Sequence, residues 1–349
     1  MSEIVVNTRI LSKPNMGIRR YVQALMRRFG GDVDSLSPSI ALHGMAAHFW
    51  EQFVLPTRLK GRLLWSPTGL GPLVVGEQVL TVHDVSFLDH PEWYNQKFAL
   101  WYGWLIPRLV RRVERVITVS NFSKQSIVRR TGISEDKVFV IPNGVDTHEF
   151  YPRSVAEIRS VIEALEIPTT EYVLSLGTLE PRKNLRRLVD AWARIHNLVP
   201  SDVWLVIAGA KGGTSVFRDA DIPRLPPRVF LTGYVPDQHL PALYSGAMVL
   251  AYVSLYEGFG LPALESMATG TPSLTGDLTA IPEAVGEAGL MVDPYDVEDI
   301  AQGLLRLIQD SALREDLRSK GLDRAKQYTW EACAKSTLEV LHDSFRRIS

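Results

Sequence analysis

The sequence is poor in the features that mark secreted, membrane-spanning or disordered chains. One cysteine, Cys333, stands among 349 residues. It can form no internal disulfide and no cysteine-based zinc site, so nothing points to an oxidising compartment. No apolar run approaches the ~20 residues that span a bilayer. The opening MSEIVVNTRIL lacks the basic start and apolar core of a secretion signal, and the expected location is the cytoplasm. Net charge is almost absent: 38 Lys and Arg against 39 Asp and Glu leave −1, which implies no nucleic-acid partner. Three motifs are also missing: the dinucleotide-binding GxGxxG, a YxxxK pair, and HExxH. Nicotinamide-dependent epimerases and dehydrogenases are therefore disfavoured, and no metal is assigned.

What is present is a 46% hydrophobic chain long enough for two domains. Nearly continuous apolar runs at 4–10, 62–68, 78–84, 115–120 and 137–144 read as strands, with helices near 17–29, 96–114 and 122–131. The scheme repeats with strands at 172–178, 203–210, 228–235, 248–254 and 271–277, followed by helices at 296–310, 311–327 and 330–346. Apolar strands separated by helices predict α/β architecture: two doubly wound parallel sheets, each covered on both faces, facing a central cleft. The turn-rich NGVDTHEFYP suggests a division into residues 1–160 and 161–329. Charge is uneven, since the first 165 residues hold 20 of the Lys and Arg but only 15 of the Asp and Glu. In the stretch 96–115, Trp101, Trp104, Arg108, Arg111 and Arg112 read either as an interfacial face toward an anionic inner-membrane surface or as a solvated end of a buried helix.

Four segments carry candidate chemistry. In YEGFGLPALESMATG (256–270), Glu257 precedes and Glu265 lies on a helix whose first turn takes Pro262. Gly258 and Gly260 permit close approach by a ligand, and the amides of a helix start attract phosphate. A capping glutamate alone would account for one of the two carboxylates. In LGTLEPRKN (176–184), Arg182 and Lys183 follow a strand, where paired cations can hold a diphosphate and stabilise it as a leaving group. TVHD (81–84) places His83 and Asp84 at a strand end, where a satisfied core histidine is the competing reading. MGIRRY (16–21) opens a helix at Gly17. Two DxD triplets, Asp32-Val-Asp34 and Asp219-Ala-Asp221, read as exposed turns, and KGGT (211–214) as a plain turn.

Together these segments resemble the family 4 retaining glycosyltransferases of the GT-B fold. EGFGLPALE (257–265) looks like the two-glutamate signature of that family, and TVHD, VSNFSK (119–124), IPNGVD (141–146) and GTLEPRKN are similar to its other landmarks, in the same order. The resemblance implies a second domain that binds a nucleotide-sugar donor and a first that binds a glycan or lipid-linked acceptor. It implies that Arg182 and Lys183 hold the diphosphate, that Glu257 contacts sugar hydroxyls and Glu265 the ribose. The amides of Phe259, Gly260 and Leu261 would face sugar and phosphates, Val235 would lie by the base, Gly17 would close on the phosphates and His83 would line the sugar. The last helix, from about Trp330, would return to the first domain. Two positions depart from the family pattern: Thr178 stands where many members carry Arg, and Arg19 where Gly or Gln is common. The variant GTLEPRKN, with TVHD followed by SFLDHPEW, is most similar to bacterial mannosyltransferases of surface polysaccharide synthesis. GDP-mannose is the expected donor and UDP-glucose or another UDP sugar the alternative, with no cofactor or metal. A non-catalytic nucleotide-sugar-binding subunit is a further alternative, but it has no need of His83, Arg182, Lys183 and Glu257 together.

Overall fold

The computed structural model describes residues 2–12, 17–209, 216 and 224–348. Two compact units emerge. One comprises Met1–Asp89, Ala99–Gly144 and Trp330–Ser349, the other His90–Phe98 and Val145–Thr329. The first holds β1 (Ile4–Asn7), β2 (Asp34–Leu36), β3 (Leu63–Ser66), β4 (Gln78–Thr81), β5 (Arg115–Thr118) and β6 (Val138–Val140) in the parallel order β2-β1-β3-β4-β5-β6. The second holds β7 (Glu171–Leu176), β8 (Val203–Ala208), β9 (Val229–Gly233), β10 (Val249–Tyr252), β11 (Ser273–Gly276) and β12 (Gly289–Val292), again all parallel, in the order β12-β11-β10-β7-β8-β9.

Burial follows from covering both faces of each sheet. β1, β3, β4, β5, β10 and β11 are buried along their whole length, which is why they read as continuous rather than alternating apolar runs. In the second unit the helices Leu185–Ile195 and Val297–Gln309 pack Leu188, Trp192, Ile300 and Leu304 against Val173, Leu205, Ala251 and Leu274. In the first, Leu105, Ile106 and Leu109 of the helix Gln96–Arg112 cover Leu80 and Val116.

The division falls earlier than the expected 160/161. The helix Val155–Ala164 belongs to the second unit, where Ile158 abuts Gly246 and a capping box between Ser154 and Glu157 starts the helix. Val145 pairs in parallel with Thr329, and its N–H donates to the Tyr328 carbonyl at 3.0 Å. The long segment Val145–Thr329 thus begins and ends in adjoining backbone. The helix Trp330–Ile348 then lies in the first unit, with the Trp330 ring 6.1 Å from Tyr21.

Candidate active site

In the second sheet the strand order reverses between β7 and β10, and parallel sheets bind ligands outside the carboxyl ends of strands at such a point. Arg182 and Lys183 follow β7, and Glu257 follows β10. β7 runs out through Gly177 at φ +151°, and a Cβ on the neighbouring Gly209 would lie 1.8 Å from the Gly177 carbonyl oxygen; only glycine fits so close an approach. A 3-10 turn over Pro181–Lys183 leads to Asn184 at φ +59°, which starts the helix Leu185–Ile195. Asparagine tolerates this left-handed conformation, and here its Nδ2 donates to the carbonyls of Val253 (3.0 Å) and Pro294 (2.6 Å). The Leu255 N–H donates to the Arg182 carbonyl at 2.8 Å. The two strand exits are thereby tied together.

The side chains meet across that tie. Lys183 Nζ donates to Glu257 Oε1 at 2.6 Å, and Arg182 Nη1 to Glu257 Oε2 at 3.0 Å. Arg182 Nε forms an ion pair with Glu180, whose other oxygen accepts the Thr178 hydroxyl at 2.7 Å. Lys183 Nζ also lies 5.2 Å from the centre of the Tyr252 ring, and the Glu257 N–H donates to Thr279 Oγ1 at 3.1 Å. Both Glu180 and Glu257 are buried. Burial alone would raise the Glu257 carboxyl, but the Lys183 ammonium and Arg182 guanidinium, with hydrogen bonds from Lys183 and Tyr252, outweigh it and pull the carboxyl down to about 2. Burial likewise pushes the Tyr252 hydroxyl well above its ordinary range.

Glu257 continues through buried Gly258 and Phe259 to Gly260 at φ +108°, the cap of the helix Leu261–Ala268. The Phe259 ring packs on Tyr328 at 5.6 Å. Glu265, buried on that helix, accepts the Tyr244 hydroxyl at 2.9 Å. Val235 is buried beyond β9, and the exposed side chain at that turn is Tyr234.

In the first unit, half-buried His83 follows β4. Its Nε2 lies 3.1 Å from the Pro67 carbonyl, a contact that requires Nε2–H and leaves Nδ1 as an acceptor. The Tyr21 ring meets it edge-on at 4.8 Å. Burial lowers the imidazole below its ordinary value, so it is neutral at pH 7. Asp84 instead serves the short helix Ser86–Asp89, accepting the Ser86 N–H at 2.9 Å. Gly17 is exposed at the first position of the helix Gly17–Phe29. Of the DxD triplets, Asp34 opens strand β2 and pairs with Arg62 at 2.8 Å, so it is no exposed turn; Asp219, Asp221 and the segment 211–214 lie outside the described residues. Among the described residues no group of three His, Cys, Asp or Glu side chains is placed to hold a metal ion.

Two family models match the chain, glycosyl transferases group 1 over residues 158–324 and glycosyltransferase family 4 over residues 66–149. The O-antigen chain mannosyltransferase B of Escherichia coli is 34% identical over 268 residues, which are 75% of this chain and 69% of that relative. The chain belongs to the family 4 glycosyltransferases. It spans only 28% of the length of another relative, the serotype-specific mannosyltransferase WbdA of Escherichia coli, with 28% identity over 65% of its own length. Among solved structures, sucrose-phosphate synthase of Thermosynechococcus elongatus aligns with a TM-score of 0.77 at 21% identity, covering 99% of this chain and 100% of that one. The Anabaena protein HepE in complex with UDP-glucose aligns at 0.76 and 19%, covering 97% and 99%. These likenesses give this glycosyltransferase the GT-B fold.

Two residues of the glycosyltransferase's charged cluster escaped the sequence reading, Glu180 and Tyr252, and Thr178 entered it only as a departure from the family pattern. Glu180 lies in LGTLEPRKN and Tyr252 at the end of an apolar strand, and strand-end position was the signal available for them. The exposed face for which the sequence offered Trp101, Trp104 and Arg108 is wider in the structure. On the helix Gln96–Arg112, Leu100, Trp101 and Trp104 are exposed, the two indoles stack at 5.5 Å, and the Arg108 guanidinium sits 4.5 Å over Trp104. The helix Gly44–Phe49, extended by a π turn over Trp50–Val54, adds exposed Met45, Phe49 and Phe53 and meets the first helix through His48 and Trp101, 6.1 Å apart. The one acidic residue of these two segments, Glu51, is buried and paired with Arg9 at 3.2 Å.

Proposed function

We propose that this glycosyltransferase moves mannose from GDP-mannose to a glycan or lipid-linked acceptor in surface polysaccharide synthesis, with retention at the anomeric carbon and without a metal ion. The observation that carries the proposal is the meeting of Arg182, Lys183 and Glu257 at the strand-order reversal of the second sheet. Negative charge develops on the departing diphosphate, and cations already fixed in place stabilise the transition state more than the ground state. In this mechanism the acceptor oxygen attacks the anomeric carbon from the side on which the diphosphate leaves. The bond to the diphosphate breaks, and a phosphate oxygen takes the acceptor proton. Lys183 and Arg182 hold the diphosphate, Glu257 the sugar hydroxyls and Glu265 the ribose. The amides of Phe259, Gly260 and Leu261 face the phosphates, and Val235 borders the base. From the first unit, Gly17 serves the phosphates, and neutral His83 offers Nδ1 to a sugar hydroxyl. The name of the 34% identical relative supports mannose as the cargo.

A UDP sugar is the second reading, favoured by the UDP-glucose in the structure of HepE. A thermal-shift panel of GDP, UDP and ADP sugars separates them, because a ligand of the folded state raises the melting point. Stabilisation by GDP and GDP-mannose is the expected result, and stabilisation by UDP alone would transfer the assignment to a UDP donor. The exposed tryptophans and surrounding arginines of the first unit support a peripheral partner as well, the anionic inner face of a membrane. No helix among the described residues is long and apolar enough to cross one.

A further inference from the structure

The charged cluster contains one carboxylate for which the proposed chemistry has no use. Glu180 is 1% exposed, so a carboxylate is buried here on purpose of neither solvation nor proposed ligand contact. Its two oxygens are both engaged: one pairs with Arg182 Nε, and the other accepts the Thr178 hydroxyl at 2.7 Å. Arg182 is in turn held at a second nitrogen, Nη1, by Glu257 at 3.0 Å. A guanidinium is planar, so a hydrogen bond from Nη1 to Glu257 together with a charge contact between Nε and Glu180 restrains the plane of the whole group. Lys183 is held differently, by one carboxylate and a neutral group: it meets Glu257 at 2.6 Å and the Tyr252 hydroxyl at 3.4 Å.

We infer that Thr178 and Glu180 are positioning residues that set the orientation of Arg182 for the transferring diphosphate. The inference rests on the proposed donor site. Glu180 works against donor affinity, because its negative charge lies beside the cations that attract the diphosphate. It favours turnover, because a guanidinium already aligned needs no reorganisation when charge develops on the leaving group. Alignment and attraction therefore separate in kinetics: an aligning group governs kcat, whereas a group that merely adds charge governs binding. Thr178 is exposed and on the surface side of the relay. Changing it leaves the charge of the site untouched.

The test measures GDP release from GDP-mannose, in the presence of a mannose oligosaccharide acceptor, together with calorimetric GDP affinity and melting temperature. Glu180→Gln is expected to lower kcat at least tenfold while the KM for GDP-mannose stays level or falls. Thr178→Val should lower kcat several-fold with unchanged GDP affinity and melting temperature, and Thr178→Ser, which restores a hydroxyl, should recover it. Unchanged kcat in Thr178→Val overturns the relay, even if Glu180→Gln proves too unstable to assay. A kcat loss that serine does not recover overturns it as well. Lys183→Ala is measured in parallel: if it alone keeps wild-type turnover, the donor-site reading has failed, whereas loss in Lys183→Ala with full turnover in Glu180→Gln removes only the positioning role.

Discussion

The two units are built on similar six-stranded parallel sheets, yet the carboxyl ends of those sheets differ in kind. In the second unit, turns after β7 and β10 bring two buried carboxylates and two half-buried cations into one cluster. In the first, the chemistry-bearing residue after β4 is a neutral imidazole held by a backbone carbonyl and an aromatic edge. The same scaffold thus presents fixed charge in one unit and a neutral hydrogen-bonding group in the other, and the difference arises in the few residues that follow each strand. On the proposed function the difference has a reason. A departing diphosphate accumulates charge and calls for preorganised cations, whereas an uncharged sugar hydroxyl calls for a hydrogen-bond acceptor.

The largest effect should come from removing a cation of the second unit. Lys183→Ala is expected to lose ~10² to 10³ in turnover, about 2.7–4 kcal/mol of barrier, while keeping its fold. Full activity in EDTA should accompany it. Wild-type turnover by Lys183→Ala, or activity abolished by EDTA and restored by Mn²⁺, would refute the assignment. A pH series on stability comes next. Glu257 is held at about 2 in the folded chain, below its ordinary 4.5. Its contribution is therefore complete above pH ~4.5 and is lost as pH falls toward 2. Glu257→Gln lacks that contribution throughout, so its melting temperature should lie below that of the wild type at pH 7 and the two should converge near pH 2. A gap that stays constant down to pH 2 would show that the cations do not depress this carboxyl.

How far the sequence foretold this contrast can be traced residue by residue. The helices at 17–29 and 330–346 were legible almost to their ends, observed as Gly17–Phe29 and Trp330–Ile348, because their apolar spacing is regular and long. β2 and β12 were not, being short edge strands; Asp34-Ser35-Leu36 is too polar to read as buried structure. The helix Gly44–Phe49 with its π turn was missed because exposed Met45, Phe49 and Phe53 confuse an amphipathic pattern. Arg182, Lys183 and Glu257 were legible as separate segments 74 positions apart. That they pair depends on β7 and β10 being neighbours, which strand order alone decides.

A smaller effect is expected from the neutral side of the comparison. His83→Phe keeps a ring beside Tyr21 but removes both the acceptor Nδ1 and the Nε2–H bond to the Pro67 carbonyl. An uncharged hydrogen bond is worth ~0.5–1.5 kcal/mol, and on the proposed function only the one at Nδ1 reaches the sugar, so turnover should fall by about tenfold or less. Because burial lowers the imidazole below its ordinary 6.5, wild-type turnover should not fall through His83 protonation between pH 8 and 6.5. A loss in His83→Phe as large as that in Lys183→Ala would erase the distinction between the two units.

The smallest effect concerns the exposed face of the first unit and asks whether the units also differ in partner. Near an anionic bilayer each Lys or Arg contributes ~1 kcal/mol, about fivefold in partitioning. Arg108 sits on that face, stacked over exposed Trp104, and its Nη1 donates to the Trp104 carbonyl at 2.7 Å. Arg108→Ala should therefore reduce flotation with phosphatidylglycerol vesicles by about fivefold without altering the melting point or turnover on a soluble acceptor. Lys320, an exposed cation of the second unit that is paired with Asp316 at 2.7 Å, provides the control, and Lys320→Ala should float as the wild type does. Equal flotation of the wild type with neutral and anionic vesicles would remove the membrane partner. Equal losses from Arg108→Ala and Lys320→Ala would make the attraction a property of the whole chain rather than of this face.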